Sequence, residues 1–417
     1  MFLDEVVNAQ KLSEAKGITS ICSAHPWVLK AAMKATKGPL LIEATCNQVN
    51  QFGGYTGMIP ADFVGHVGTL AEEYKFPFEN IILGGDHLGP SVWQNEPANS
   101  AMKKAEVLVQ KYVEAGFVKI HLDCSMPLAD DPEGALDMEI SAARTARLVK
   151  IAEKVGGDDI RYVIGSEVPI PGGAMERGEG VRVTTVEDVQ KTINATREAL
   201  LSQELEEAWE KVIAIVVQPG VEYGDDFVLA YQSNDTKELS KFIESQPQIF
   251  EAHSTDYQTY QALKEMVRDH FAILKVGPAL SFALREAIFA LAMMEDELIA
   301  SNERSNIISV LDKVMEEHPQ HWMKYYHGSE KEITFKRKYS LSDRIRYYWS
   351  HPMVHDAFNV MLKNLYKISI PATLLSQYVP DIYLTNKYGW NSISSEQVLL
   401  AKVQKVLIDY DQACSPP

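Results

Sequence analysis

NIILGGDHLGP, residues 80–90, is the stretch that decides the fold. Ile81, Ile82 and Leu83 form an unbroken apolar run, the pattern of a strand buried on both faces, as in parallel sheets. Two glycines follow, where the backbone turns tightly and lets a ligand approach, and then the pair Asp86-His87. The same design, an apolar body with a polar or glycine-rich end, recurs in ITSICSAH (18–25), PLLIEATC (39–46), VKIHLDCS (118–125), RYVIGSEV (161–168), VIAIVVQP (212–219), QIFEAHST (248–255) and FAILKVGP (271–278). Helix-like segments separate the runs: Pro26 to Ala35, Pro60 to Tyr74, Ala98 to Ala115, Gly134 to Val155, Thr185 to Lys211, Thr236 to Glu244 and Gln258 to His270. Ser281 to Glu317 follows the last run as one helix or more. Eight strand–helix pairs predict a closed (β/α)8 TIM barrel. An open doubly wound sheet is the alternative, but neither GxGxxG nor GxxxxGK[ST] occurs.

We place the barrel in residues 1–315 and read 316–417 as a helical C-terminal extension packed on it. The extension carries the aromatic and basic segments HWMKYYHGSEKEITFKRKYS and DRIRYYWSHP, then DAFNVMLKNLYK, an amphipathic helix. Arg344 and Arg346 with Tyr347, Tyr348 and Trp349 either cap the barrel mouth or belong to a packed surface helix, and the second reading is preferred.

The 417 residues are 46% hydrophobic and 23% charged, enough for a large core. A net charge of −17 argues against a nucleic-acid partner, which needs a basic face. Cys22, Cys46, Cys124 and Cys414 form no CxxC pair, so neither a zinc ribbon nor a disulfide framework is expected. The N-terminal segment has no apolar stretch typical of a signal peptide, and no run is long enough to span a membrane. A cytoplasmic location is expected, and the oligomeric state stays open to a homo-oligomer.

Barrel chemistry sits at the C-terminal strand ends. Here they offer His25, Glu43, Asn47, Asp86, His87, Asp123, Glu167, Gln218, His253 and Lys275. An imidazole at position 87 can bind a divalent metal while Asp86 works as a base. Glu167 in GSEVPIPGG and His253 in EAHSTDYQ are natural further ligands, although a lone His after an apolar run is more often a satisfied core residue. Asp123 is a second acid/base group or a fourth ligand. His121 shares its face but reads as barrel interior. Lys275, embedded in apolar residues, is a rival Schiff-base amine if burial lowers its pKa, or else the partner of a carboxylate. Asn47 and Gln48, in the loop NQVNQFGGYTG (47–57), suit sugar hydroxyls or a phosphate. The turn GPALSFALREA opens a helix at the corner where barrels often take phosphate, with Arg285 a turn further along.

One divalent cation held by His87, Glu167 and His253 keeps positions open for water or substrate. Such a cation polarises a ketone, and a nearby Asp moves a proton. The parts suit aldol cleavage, epimerisation or isomerisation of a ketose. The ligand types accept zinc, manganese, nickel, cobalt or iron.

The motifs ICSAHP, LIEATCNQVNQFGGYTGM, IILGGDHLGP, KIHLD, YVIGSEVPIPGG, AIVVQPGVE, EAHSTDYQ, HFAILKVGPALSFALREAIFALA and KYSLSDRIRYYW resemble the GatZ/KbaZ family, the Z subunit of D-tagatose-1,6-bisphosphate aldolase. The resemblance runs from about residue 18 to about 385. It implies a barrel and a place in galactitol, N-acetylgalactosamine or tagatose metabolism. In that system the Z subunit is regarded as non-catalytic and supports a separate class II aldolase subunit. Related proteins are metal-dependent epimerases that interconvert fructose and tagatose at C4. GGDHLG also looks like the strand-end Asp-His of class II aldolases, which implies an acid/base role for Asp86 and a metal-ligand role for His87. The expected function is therefore metal-dependent C3–C4 retro-aldol chemistry on tagatose, fructose or their phosphates. Asp86 and Asp123 act as acid and base; His25, Glu43, Asn47, Gln48, Gln218 and Lys275 contact substrate. The alternative is an accessory subunit without turnover of its own.

Overall fold

The structure is a computed structural model, and it describes residues 1–166, 181–366, 368–385 and 393–415. Each of the eight apolar runs forms one strand of a closed parallel barrel: β1 (Ile18–Cys22), β2 (Leu40–Thr45), β3 (Ile81–Leu88), β4 (Lys119–Leu122), β5 (Arg161–Ile164), β6 (Val212–Val217), β7 (Ile249–Ala252) and β8 (Phe271–Val276). Neighbours pair in chain order, and β1 joins β8 with Ile18 opposite Ile273. The (β/α)8 expectation is met.

Helix α1 (Phe2–Lys11) precedes the barrel and plugs its N-terminal end. Its Leu3 and Val6 pack on Ile18, Leu41, Ile82, Val163, Ile249 and Ile273, which point inward from the strands. Burying each of these two side chains contributes roughly 2 kcal/mol. Asp4 Oδ1 accepts from Arg161 Nε at 2.6 Å and locks the plug to β5.

The outer layer begins with α2 (Pro26–Ala35), α3 (Pro60–Tyr74), α4 (Ala98–Glu114), α5 (Met138–Val155) and α6 (Val186–Leu201). It continues with α7 (Lys237–Glu244), α8 (Tyr260–Arg268) and α9 (Pro278–Leu298). Proline stands at the first helical position of α2, α3 and α9, where the missing N–H has no intrahelical partner to lose. The long segment expected at 281–317 is two helices, α9 and α10 (Ile307–Glu317), separated by residues 299–306.

The chain then adds α11 (Glu330–Tyr339) and α12 (Pro352–Tyr366), and ends its described course in α13 (Ser395–Cys414). Helix α13 packs against α2, α8, α9 and the strand β1. Gly17 N donates to Cys414 O at 2.8 Å, and Thr19 Oγ1 lies 3.7 Å from Cys414 Sγ. Thus α13, rather than the α9 that directly follows β8, lies on β1 beside the closing seam. Among the described residues no helix is long and apolar enough to cross a membrane.

Candidate functional site

Side chains two residues apart on a strand share a face, so the barrel interior is built in tiers. Leu41, Ile249 and Ile273 belong to the apolar lower tier. Two residues on, Glu43, Glu251 and Lys275 form a charged tier with Lys119 of β4. All four are at most 4% exposed. Lys119 Nζ lies 2.6 Å from both Glu43 Oε1 and Glu251 Oε2, and Ser20 Oγ donates to Glu43 at 2.7 Å. Lys275 Nζ stands 3.3 Å from Glu251 and 3.5 Å from Glu43, and it pairs with Asp86 above. Gly84 makes room for this tier: a Cβ there would lie 2.6 Å from Glu43 Cγ.

The third tier is Asp86, His87, His121 and His253, whose ligand-type atoms all lie within 4.8 Å of one another. Consecutive residues of a regular strand face opposite ways, yet Asp86 and His87 both face this cluster. The β3–β4 register shifts between Gly85 and Leu88, and His87 has φ +47°. This irregularity turns a second side chain inward, at the backbone strain that left-handed geometry costs a non-glycine residue.

Hydrogen bonds orient the rings. His121 Nε2 is 3.0 Å from Gly165 O. A carbonyl only accepts, so Nε2 donates to it, while Nδ1 faces the cluster 3.0 Å from Asp86 Oδ1. The His87 backbone N–H lies 3.2 Å from that Nδ1. His253 Nε2 lies 2.9 Å from Glu251 Oε1, the carboxylate-to-imidazole support typical behind metal-binding histidines. His87 Nδ1 and His121 Nδ1 are 2.8 and 3.0 Å from Asp86 Oδ1. Three carboxylates against two ammonium groups leave the two upper tiers one negative charge beneath convergent imidazoles. That donor set fits a divalent cation.

Burial opposes charge on Asp86, but His87 and Lys275 hold its carboxyl well below the usual range. Burial likewise opposes charge on Lys275, and Asp86, Glu43 and Glu251 together raise its pKa well above the ordinary lysine value. A neutral amine, which Schiff-base chemistry needs, is therefore disfavoured; the carboxylate-paired reading of Lys275 is the one observed. Burial, reinforced by Lys275, pushes His253 down and keeps it neutral.

The other expected site residues fall in different places. Glu167 lies outside the described residues. Glu43 is in the middle tier, below the mouth. Asp123 stays out of the cluster, its Oδ1 accepting from Ser125 N and Oγ at 3.0 and 2.6 Å. His25 caps α2 by accepting from Trp27 N at 3.3 Å. Asn47 is exposed. Gln48 accepts from Thr45 N at 2.9 Å, and Gln218 accepts from Gly220 N and Val221 N at 2.8 and 3.1 Å, so both shape their own loops. His121, read from sequence as barrel interior, is fully buried and also part of the cluster. Lys119 and Glu251 were missed. Their signal is a charged residue inside an apolar strand run, where only a buried partner makes it tolerable.

Segment 340–350 is a strap over the barrel mouth. At one end Ser340 Oγ donates to Asp225 at 2.7 Å, Leu341 N donates to Asp225 O at 2.8 Å, and Tyr257 OH donates to Leu341 O at 2.6 Å. At the other, Tyr347 meets Tyr55 at 4.7 Å between ring centres and Trp349 meets His25 at 6.1 Å. The anchors follow β6 and β7 on one side and β1 and β2 on the other. Arg344, Ile345, Tyr348 and Trp349 are buried, which corrects the surface-helix reading.

Glu222, 1% exposed beside this mouth, accepts from Ser254 Oγ at 3.2 Å, and burial raises its pKa to about 7. A raised carboxyl stabilises the fold below the unfolded value and loses that contribution as pH rises through the folded one. Glu222→Gln is therefore expected to gain on the parent between pH 4.5 and about 7, by roughly 3 kcal/mol at most. Thermal midpoints across that range check it; a gap that does not change with pH refutes it.

The fold and the third tier place the chain among barrel proteins with ionisable sites at the C-terminal strand ends. A family model described as D-tagatose-1,6-bisphosphate aldolase subunit GatZ/KbaZ-like matches residues 3–415, and the chain belongs to this family. It is 49% identical over 422 residues to the D-tagatose-1,6-bisphosphate aldolase subunit GatZ of Klebsiella pneumoniae subsp. pneumoniae, covering 99% of each chain. A crystal structure of a probable tagatose 6 phosphate kinase from Sinorhizobium meliloti 1021 superposes with TM-score 0.89 at 45% identity, over 96% of this chain and 100% of that one. The fold is also shared with the fructuronate-tagaturonate epimerase UxaE of Cohnella laeviribosi, TM-score 0.53 at 10% identity, over 95% of this chain and 82% of that one.

Proposed function

We propose that the chain is a divalent-metal-dependent enzyme of tagatose, fructose or their phosphates, working by reversible C3–C4 aldol cleavage. The observation that carries this reading is the convergence of Asp86, His87, His121 and His253, with ligand-type atoms within 4.8 Å of one another, above a tier of two carboxylates and two ammonium groups. The three imidazoles would hold the cation, and His121 replaces Glu167 as the third described ligand. A cation bound there supplies Lewis acidity, polarising a ketone carbonyl and favouring negative charge beside it.

The chain's own groups handle the proton. Asp86, kept ionised by His87 and Lys275, takes the proton of the C4 hydroxyl as the C3–C4 bond breaks. C4 becomes an aldehyde, and the bonding pair stays on the ketone half. Re-addition to the other aldehyde face with return of the proton gives the C4 epimer; departure of the aldehyde and delivery of that proton to C3 of the ketone half gives net cleavage and restores the Asp86 carboxylate.

Purified protein is expected to turn over tagatose, fructose or one of their phosphates, to lose activity in EDTA, and to regain it with a divalent ion. Activity that survives chelation overturns the metal reading. A second reading rests on the Klebsiella relative's name as a subunit. It expects no turnover under any metal and a gain in stability for a class II aldolase subunit mixed with this chain.

A further inference from the structure

We propose that Arg346 recognises an oxyanion, a phosphate ester or a carboxylate, at the end of the sugar remote from the His/Asp cluster. The proposal rests on the sugar-enzyme reading above. Two observations carry it.

The first is that the corner where barrels often take phosphate is already filled. Asp256 Oδ1 accepts from Gly277 N and Ala279 N, at the start of α9, at 3.0 and 2.7 Å. Asp256 is 3% exposed, so this carboxylate stands where a ligand anion would sit. Arg285, the sequence's candidate cation for that corner, lies instead 3.5 Å from Asp343 and over the Phe282 ring at 4.1 Å. A substrate anion must be met elsewhere.

The second is the geometry of Arg346. It sits on the strap next to Tyr347, at the Tyr55 end of the span that begins at the Asp225 anchor. These two anchors follow β6 and β2, strands on opposite sides of an eight-stranded barrel, so the residue between them lies over the mouth. Its Nη1 donates to Ser342 O and Asp343 O, and its Nη2 donates to Tyr347 OH at 3.2 Å. A guanidinium has five N–H donors in a fixed fork. Among the described residues, Nε–H and one Nη2–H have no acceptor. These neighbouring donors are the pair that grips an oxyanion in bidentate fashion. Among the described residues neither nearby carboxylate takes a hydrogen bond from it, though both attract it through space: Asp343 accepts from Ser281 Oγ at 2.6 Å and faces Arg285, and Asp256 accepts from the α9 amides. Arg344, two residues away over the Tyr325 ring at 3.3 Å, adds a second positive charge to the strap.

The test is calorimetric binding of D-tagatose, D-tagatose 6-phosphate and D-tagaturonate to the intact protein and to Arg346→Met and Arg346→Lys. At least one anionic sugar is expected to bind roughly tenfold or more tighter than tagatose, with that advantage lost in Arg346→Met and reduced in Arg346→Lys. The phosphate and uronate arms tell which oxyanion is preferred. Equal binding of all three sugars, or an advantage that survives both substitutions, overturns the proposal. Arg346→Lys keeps the charge and guards against a folding defect in the Met variant. Because binding is read without turnover, an inactive protein that keeps this preference refutes the enzymatic reading alone.

Discussion

Asp86→Asn is expected to lower turnover by about 10²–10⁴-fold, the range for loss of a positioned acid/base group, while the protein keeps its bound divalent ion. The amide keeps the size of the carboxyl but can neither take nor return the C4 hydroxyl proton. If the three imidazoles hold a cation as proposed, they remain in this variant, so metal content, measured by atomic absorption after dialysis, should stay near one ion per chain. KM should move less than kcat, because the proton moves in the transition state and not in the bound ketose. A rate within threefold of the parent would end the assignment of Asp86 as the base. Loss of metal together with rate would recast Asp86 as a ligand.

Lys119→Met should cost about 3–5 kcal/mol of stability, the usual penalty for breaking a buried ion network from one side. Lys119 is wholly buried and is the 2.6 Å partner of both Glu43 and Glu251. Without it both carboxylates depend on Lys275, which also serves Asp86. The deficit should shrink in acid. Burial opposes charge on Glu251, yet Lys119 and Lys275 depress its pKa well below the ordinary value, so its contribution is present above the unfolded pKa and lost as pH falls through the folded one. Adding Glu43→Gln to Lys119→Met should recover part of the loss. Urea unfolding at pH 7 and at pH 3.5, below the 4.5 of an unperturbed glutamate, provides the measurement; a deficit under 1 kcal/mol at pH 7 would mean the tier relaxes or takes in water.

The barrel was legible because each strand is a short, mostly apolar run, as strands buried on both faces of a parallel sheet are, and eight of them alternate with helix-like segments. Asp86, His87 and His253 were legible for the same reason: they punctuate the ends of such runs. Lys119 and Glu251 were not, because a charged residue inside an apolar run looks like an interruption until its partner on another strand is known. His121 was seen on the inward face but assigned only to packing, since strand alternation does not say how high in the barrel a side chain stands. The joint inward placement of Asp86 and His87 depends on an irregularity in the β3–β4 register, which strict alternation forbids. Asp123, Gln48 and Gln218 were of suitable type and at the correct end of the barrel, but short-range bonds to Ser125, Thr45, Gly220 and Val221 occupy them. The strap was noticed as composition; its course over the mouth depends on contacts with Asp225 and Tyr55, far away in the chain.

Helix α13 sets a condition on synthesis. The side of the barrel where β1 meets β8 is complete only when residues 395–414 reach Gly17 and Thr19. A ribosome adds roughly 5–20 residues per second, so on the order of 10 s separates the emergence of β8 from that of α13. During that interval the nascent chain exposes an apolar flank of β1, α2 and α8, which suits a holding chaperone. A message cut short upstream of residue 395 yields a product that keeps every cluster residue but lacks this cover, which exposes it to proteases.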